Sequence, residues 1–220
     1  MGLLKHILPT ILDTKIKNIL AEEREVAKAV AAEVTGTYVV GVWDFMLPPL
    51  FAINLLKHQR AKEAFILNYL FTKKLALEAS RNMLQYGLTK NDCLAQVEKQ
   101  TSAILSSDRK GVYSEKVRLK QVLEIGLLID HYQKLLIAEG KGYNDMVKAA
   151  YGERDAFSAF LNRLGSAEKE VNRAALQIVG KNVNAKDFVA RMEKAVAFIR
   201  NRDLNNLFPL PDEPPSMNTN

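Results

Sequence analysis

The chain has 220 residues, of which 48% are hydrophobic and 25% are charged, and its formal net charge is +6. This composition lies in the ordinary globular range, which excludes wholesale disorder, and a chain of this length can bury a substantial core. Its single cysteine, Cys93, cannot form an intramolecular disulfide. This excludes a disulfide-stabilised secreted scaffold and predicts a reducing, cytoplasmic location, with membrane association as an alternative.

The prolines and glycines predict an all-α fold. All seven prolines lie at positions 9, 48, 49, 209, 211, 214 and 215, so none interrupts residues 50–208. An interior proline costs a helix about 3 kcal/mol, and its absence over this length favours helices over a turn-rich β fold. Glycines recur at intervals that suit helix C-terminal positions.

Helix start signals divide the chain between these glycines. Thr10, Thr89 and Ser114 are predicted N-caps, and Thr89 has Asp92 three residues later in the first turn. The predicted helices cover residues 10–35, 49–86, 89–107, 113–139, 143–151, 153–164, 166–179 and 184–206. The fold class is therefore a bundle of about seven or eight helices.

The helix over 49–86 is the predicted centre of this bundle, because its middle, residues 64–71, is apolar nearly all round. Residues 1–208 are interpreted as one helical domain, with a division near 140–142 as an alternative. Residues 209–220 are predicted to be a flexible, proline-rich tail.

An apolar stretch from Thr37 to Leu56 is the least ordinary feature of the sequence. It approaches the length of a bilayer span, but Asp44 and the central Pro48–Pro49 pair argue against a transmembrane helix. The favoured interpretation is a packed connector, with the two prolines beginning the central helix. In the alternative interpretation the stretch is an exposed contact surface.

The contact-surface interpretation combines this stretch with the basic residues that follow it. Residues 37–90 carry seven basic against three acidic side chains. An apolar projection beside such a basic belt would bind a partner helix, a second copy of the chain, or an anionic membrane surface. Its predicted members are Trp43, Phe45, Met46, Leu47, Phe51, Lys57, Arg60 and Lys62.

No residue pattern predicts a cofactor or a metal site. The three histidines lack metal-binding spacing, and Gly140-Lys141-Gly142 resembles a helix-ending turn rather than a phosphate-binding loop. Glu124 and His131 share a helix face, which we interpret as solvent-exposed. Cys93 is interpreted as packing on Leu88 near a helix start, although a reactive thiol is the alternative.

These observations favour a non-enzymatic helical protein that acts through its surfaces. The leading prediction is a self-associating interaction module whose partner is a protein or a second copy of the chain. A peripheral membrane or lipid-binding protein is the second, and an enzyme using residues such as Glu124, Asp130 and His131 is the third. Nucleic-acid binding is less favoured, because the basic excess is local and no binding motif accompanies it.

Overall fold

The structure is a computed structural model that describes residues 2–34, 58–107, 113–179 and 183–210. The all-α prediction is confirmed, since these residues form seven α-helices and no strand. The helices are α1 (Gly2–Val34), α2 (His58–Tyr86), α3 (Lys90–Ser107), α4 (Glu115–Ile137), α5 (Tyr143–Tyr151), α6 (Arg154–Val179) and α7 (Val183–Leu207).

The helix at the centre of the described residues is α4, which packs against α1, α2, α3, α5 and α6. Its side chains Ile125, Leu128, Ile129, Tyr132 and Leu135 are fully buried. The prediction that the helix over 49–86 occupies the centre is therefore not confirmed. The part of that helix before His58, and the tail beyond residue 210, lie outside the described residues.

A second apolar cluster joins the two ends of the chain. Ala27, Val30 and Val34 of α1 pack with Phe188 and Met192 of α7, together with residues of α2. Because α1 and α7 also contact helices from the middle of the chain, the helices before and after residues 140–142 pack against one another. The prediction of a single domain and its alternative, a division at that turn, both stay predictions.

Two predicted helix starts agree with the structure. The Thr89 hydroxyl accepts a hydrogen bond from the Asp92 backbone N–H at 3.2 Å, and the Thr89 N–H donates to the Asp92 carboxylate at 3.0 Å. This reciprocal pair is a capping box at the start of α3. At the start of α4, the Ser114 hydroxyl accepts from the Val117 N–H.

Two other predicted boundaries are wrong. Helix α1 continues through Pro9, so Thr10 is an interior residue rather than an N-cap; its carbonyl accepts from Thr14. Helix α6 continues through Gly165 and joins the two predicted helices, and the Ser166 hydroxyl donates back to Asn162. One glycine costs a helix only about 1 kcal/mol relative to alanine, which the packing of this long amphipathic helix outweighs.

In the turn between α4 and α5, a substitution that adds a single methyl group is expected to destabilise the fold strongly. Gly140 has φ +98°, and a Cβ atom there would lie 2.5 Å from Asp145 Cβ. We expect Gly140→Ala to lower the free energy of unfolding by at least about 2 kcal/mol, since backbone strain and a clash combine.

The matched control is Gly152→Ala. Gly152 also has a positive φ, +69°, but a Cβ there would meet nothing within 4 Å. Its substitution should cost only about 1 kcal/mol, from the backbone alone. Urea denaturation of both variants measures the difference, and equal losses would show that the predicted clash has no energetic effect.

Candidate functional site

The most unusual feature of the interior is a cluster of charged side chains between four helices, hereafter the charge cluster. It consists of Lys73 of α2, Glu124 of α4, Glu168 of α6 and Arg200 of α7. Charged side chains are almost never buried without a partner, because removing a charge from water is costly. The contacts within this cluster therefore decide whether it serves structure alone.

One pair in the cluster is a strong structural contact. Arg200 Nη1 donates to Glu168 Oε2 at 2.6 Å and Arg200 Nη2 donates to Glu168 Oε1 at 2.8 Å. Parallel bonds of this kind fit the planar guanidinium to a carboxylate. Burial acts to raise the pKa of Glu168, but the Arg200 and Lys73 charges outweigh it and hold that pKa below its ordinary value.

Lys73 is less completely satisfied. Its side chain is only 3% exposed, and its ammonium lies 3.6 Å from Glu168 Oε1, which is longer than a hydrogen bond. The same ammonium lies 4.1 Å from the centre of the Tyr69 ring. This cation–π contact stabilises the charge, and within the described helices no carboxylate oxygen lies closer to the ammonium than Glu168 Oε1.

Glu124 is the second carboxyl group of the charge cluster. It is 5% exposed, and the Thr72 hydroxyl donates to its Oε1 at 2.8 Å. Burial raises the pKa of Glu124 to about 7, although Lys73 and Arg200 act in the other direction. At neutral pH this side chain therefore exchanges between its charged and neutral forms.

The charge cluster faces a cavity of about 570 Å³ enclosed by α2, α4, α6 and α7, hereafter the central cavity. Its volume lies within the range of small-molecule sites. The exposed residues that line it mark where it meets solvent, between one face of α6 and one face of α7. These residues are Asn162, Ser166, Lys169, Ala197 and Asn201.

The central cavity has a mixed lining. Phe65, Leu161, Val171, Met192 and Val196 supply an apolar wall beside the charged groups. Tyr69 also lines the cavity, and its hydroxyl is shielded from solvent and has no hydrogen-bond partner in the described part of the chain. An unsatisfied polar group in an apolar wall is the arrangement by which cavities orient a bound molecule.

A smaller cavity of about 270 Å³ adjoins the first and shares Tyr69, Leu161 and Arg200 with it. It is lined by the acidic residues Glu22, Glu23 and Asp203. Glu23 accepts a hydrogen bond from the Tyr132 hydroxyl at 2.8 Å. Burial, followed by repulsion from Asp203 and Glu23, raises the pKa of Glu22. The Glu23 charge also acts on both cations of the charge cluster, since it raises the pKa of Lys73 and that of Arg200.

The residues proposed for an enzyme do not form one site. Glu124 is in the charge cluster, whereas Asp130 is exposed and pairs with Lys90 at 2.7 Å. His131 Nδ1 shares a 2.7 Å hydrogen bond with the Tyr151 hydroxyl, and its ring stacks on Phe160. The interpretation of Glu124 and His131 as a solvent-exposed face is wrong, since both side chains are buried.

The predicted contact surface lies almost wholly outside the described residues. Trp43, Phe45, Met46, Leu47, Phe51 and Lys57 belong to that undescribed part. Arg60 lies in the first turn of α2, and Lys62, two residues later, is exposed. The prediction of a contact surface is consequently neither confirmed nor contradicted.

Cys93 is buried at the start of α3, in the same apolar cluster as Leu88. Burial, followed by the Asp92 charge, raises the pKa of its thiol, so the interpretation as a packed side chain fits better than a reactive thiol. Over residues 2–34, 58–107, 113–179 and 183–210, no three His, Cys, Asp or Glu side chains form a group that could hold a metal ion.

Comparison with known proteins adds no assignment, since no protein family, curated protein or solved structure matches the chain. Among the described helices, none combines the length and the apolar character that crossing a bilayer requires.

Proposed function

We propose that this chain is a non-enzymatic binding protein whose helical bundle takes up one small organic molecule in the central cavity. The observation that supports the proposal is the buried Lys73 ammonium, which lines a cavity of small-molecule size and whose nearest carboxylate oxygen among the described residues, Glu168 Oε1, is 3.6 Å away. A purely structural lysine in the interior would be expected to hold its partner at hydrogen-bond distance.

The mixed lining supports the same proposal. Ligand cavities are mostly apolar and contain a few polar groups that fix orientation. Here an apolar wall that includes Phe65, Met192 and Val196 lies beside the charge cluster and Tyr69. Such a cavity suits an amphipathic molecule rather than water alone or a fully apolar one.

A blocking substitution at the cavity mouth tests the proposal. Ala197 is exposed, lines the central cavity and lies one turn before Arg200 on α7. We expect wild type to bind one equivalent of the neutral fluorescent probe prodan, with a blue-shifted emission. Ala197→Trp should reduce this binding at least about tenfold, because the indole fills the entrance.

Ala159→Trp is the matched control. Ala159 is also an exposed helical alanine, on α6, but it lines neither cavity. Its substitution should leave prodan binding unchanged. If both tryptophan variants bind as wild type does, or if wild type binds no probe, the proposed function is wrong.

Self-association remains a prediction with one supporting observation. Leu119 and Leu123, one turn apart on α4, are 49% and 64% exposed. Large apolar side chains grouped on a surface are typical of protein contacts. Light scattering across protein concentrations tests it, and a monomer at all concentrations would remove its support. The cytoplasmic location and the peripheral membrane alternative also stay predictions.

A further inference from the structure

The chemistry of the central cavity indicates which class of molecule it accepts. Two donors lie beside it: the Lys73 ammonium, whose nearest carboxylate oxygen among the described residues is 3.6 Å away, and the solvent-shielded Tyr69 hydroxyl, which has no hydrogen-bond partner in the described part of the chain. Both belong to α2, with the ammonium 4.1 Å from the centre of the tyrosine ring. A ligand that stabilises both must bring oxygen acceptors to this point.

The charges around these donors specify the ligand further. Lys73 and Arg200 contribute two positive charges, and Glu168 contributes one negative charge. When Glu124 is neutral, the four cluster groups that line the central cavity therefore carry one excess positive charge. Glu23, which also acts on Lys73 and Arg200, lines the other cavity. The rim residues Lys169 and Glu193 have opposite charges, and Glu193 accepts a hydrogen bond from Asn172 at 2.9 Å. A monoanion would neutralise the excess, whereas a phosphate dianion would overcompensate it.

We infer that the central cavity binds a small organic monocarboxylate, with its carboxylate on Lys73 and Tyr69, its apolar body against Phe65, Met192 and Val196, and a proton on Glu124. This inference rests on the proposed function and names the ligand class. Ionised Glu124 would make the cluster neutral before binding, and the carboxylate would then add an unpaired negative charge. Affinity is consequently linked to the proton on Glu124.

The groups that face Glu124 determine how ligand affinity is linked to the proton on this side chain. Lys73 and Thr72 approach from α2, Glu168 from α6 and Arg200 from α7. The pKa of Glu124 is raised to about 7, first by burial and then by Glu168. A bound carboxylate adds a second negative neighbour and raises this pKa further, so binding takes up a proton near and above neutral pH.

Calorimetric titration of the full chain with three probes of equal chain length tests the ligand class. The probes are octanoate, 1-octanol and octylamine, which share an apolar body and differ in charge. We expect octanoate to bind at least about tenfold more tightly than the other two at pH 6.5. Equal affinity for octanoate and 1-octanol, or a preference for octylamine, overturns the inference.

Substitution of neighbouring lysines locates the contact. Lys73→Met should weaken octanoate at least about tenfold and leave 1-octanol nearly unchanged, while Lys74→Met should behave as wild type because Lys74 is exposed. Tyr69→Phe provides a second variant, with a loss of about threefold to tenfold, if Lys73→Met does not fold. Octanoate affinity that is the same in Lys73→Met and Lys74→Met, or unchanged in Tyr69→Phe, contradicts the inference.

Proton uptake by Glu124 on ligand binding is tested separately. In two buffers of different ionisation enthalpy at pH 7, octanoate binding should take up about half a proton, and its affinity should fall by up to about tenfold per pH unit above 7. Glu124→Gln should bind with no such pH dependence. Wild-type binding without proton uptake overturns the role of Glu124. Prodan binding that survives while octanoate fails to bind overturns only the ligand class, whereas loss of both overturns the proposed function as well.

Discussion

Replacing Glu168 with glutamine is expected to lower the free energy of unfolding by about 3–5 kcal/mol at pH 7, because it leaves buried positive charge without a counter-ion. The Glu168 carboxylate binds Arg200 through both oxygens and lies 3.6 Å from the Lys73 ammonium. The amide can accept hydrogen bonds, but it cannot compensate two cations. Urea denaturation followed by circular dichroism measures the loss.

Glu170→Gln is the matched control for this prediction. Glu170 lies on the same helix and also pairs with two basic side chains, Lys120 and Arg173, but it is 40% exposed. Water screens such pairs, so its substitution should leave the midpoint of urea denaturation nearly unchanged. Similar losses in the two variants would show that burial of the charge cluster contributes no special energy.

Acidification is expected to destabilise the protein through His131. This side chain is 3% exposed, and burial, followed by the Arg200 and Lys134 charges, lowers its pKa to about 3. In the unfolded chain the pKa of histidine is about 6.5. Between these values the unfolded state binds a proton that the native state does not, so stability falls as the pH falls.

Glu124 titrates with the opposite sign. Its pKa is about 7 in the native state and the ordinary value is 4.5, so here the native state holds the extra proton between these values. The contributions of His131 and Glu124 to the pH dependence of the free energy of unfolding therefore cancel from about pH 4.5 to about pH 6.5. Below that window the His131 contribution remains and destabilises the fold.

His131→Phe isolates the histidine contribution and keeps an aromatic ring beside Phe160. Loss of the hydrogen bond to Tyr151 changes the free energy of unfolding by an amount that does not depend on pH. Between pH 7 and pH 4, the variant should gain about 3 kcal/mol of stability relative to wild type. Urea denaturation at each pH measures this difference. A difference that stays constant with pH would mean that His131 does not titrate as a buried group.

The helices were largely predictable because their signals are local. Thr89 with Asp92 and Ser114 mark the starts of α3 and α4 through contacts within one turn. Gly165 was misleading because one glycine costs a helix only about 1 kcal/mol, which is too little to end a long amphipathic helix. The propensity of one residue is small beside the burial of a continuous apolar face.

The charge cluster was missed because charge was taken as a sign of exposure. A detectable signal was present in α4, where Glu124 and His131 follow the helical spacing of Val117, Leu128 and Leu135. Lys73 stands between Leu70 and Leu77 on the buried face of α2 in the same way. A charged residue at a core position of a helical pattern indicates a buried polar site.

The partners within the cluster could not be predicted. Lys73, Glu168 and Arg200 lie on three helices that are far apart in the sequence, and only tertiary packing brings them together. The cavity likewise depends on how α2, α4, α6 and α7 pack together rather than on any motif. The apolar stretch at residues 37–56, in contrast, is visible in the sequence because its apolar residues are contiguous.

The most direct test of a ligand-binding cavity is the position of a bound probe. Crystals grown with 8-bromooctanoate should give an anomalous bromine signal inside the central cavity, with the carboxylate within hydrogen-bond distance of Lys73 Nζ and Tyr69 Oη. A cavity that contains only ordered water at saturating probe, or a bromine signal confined to the outer surface of the bundle, would contradict the account.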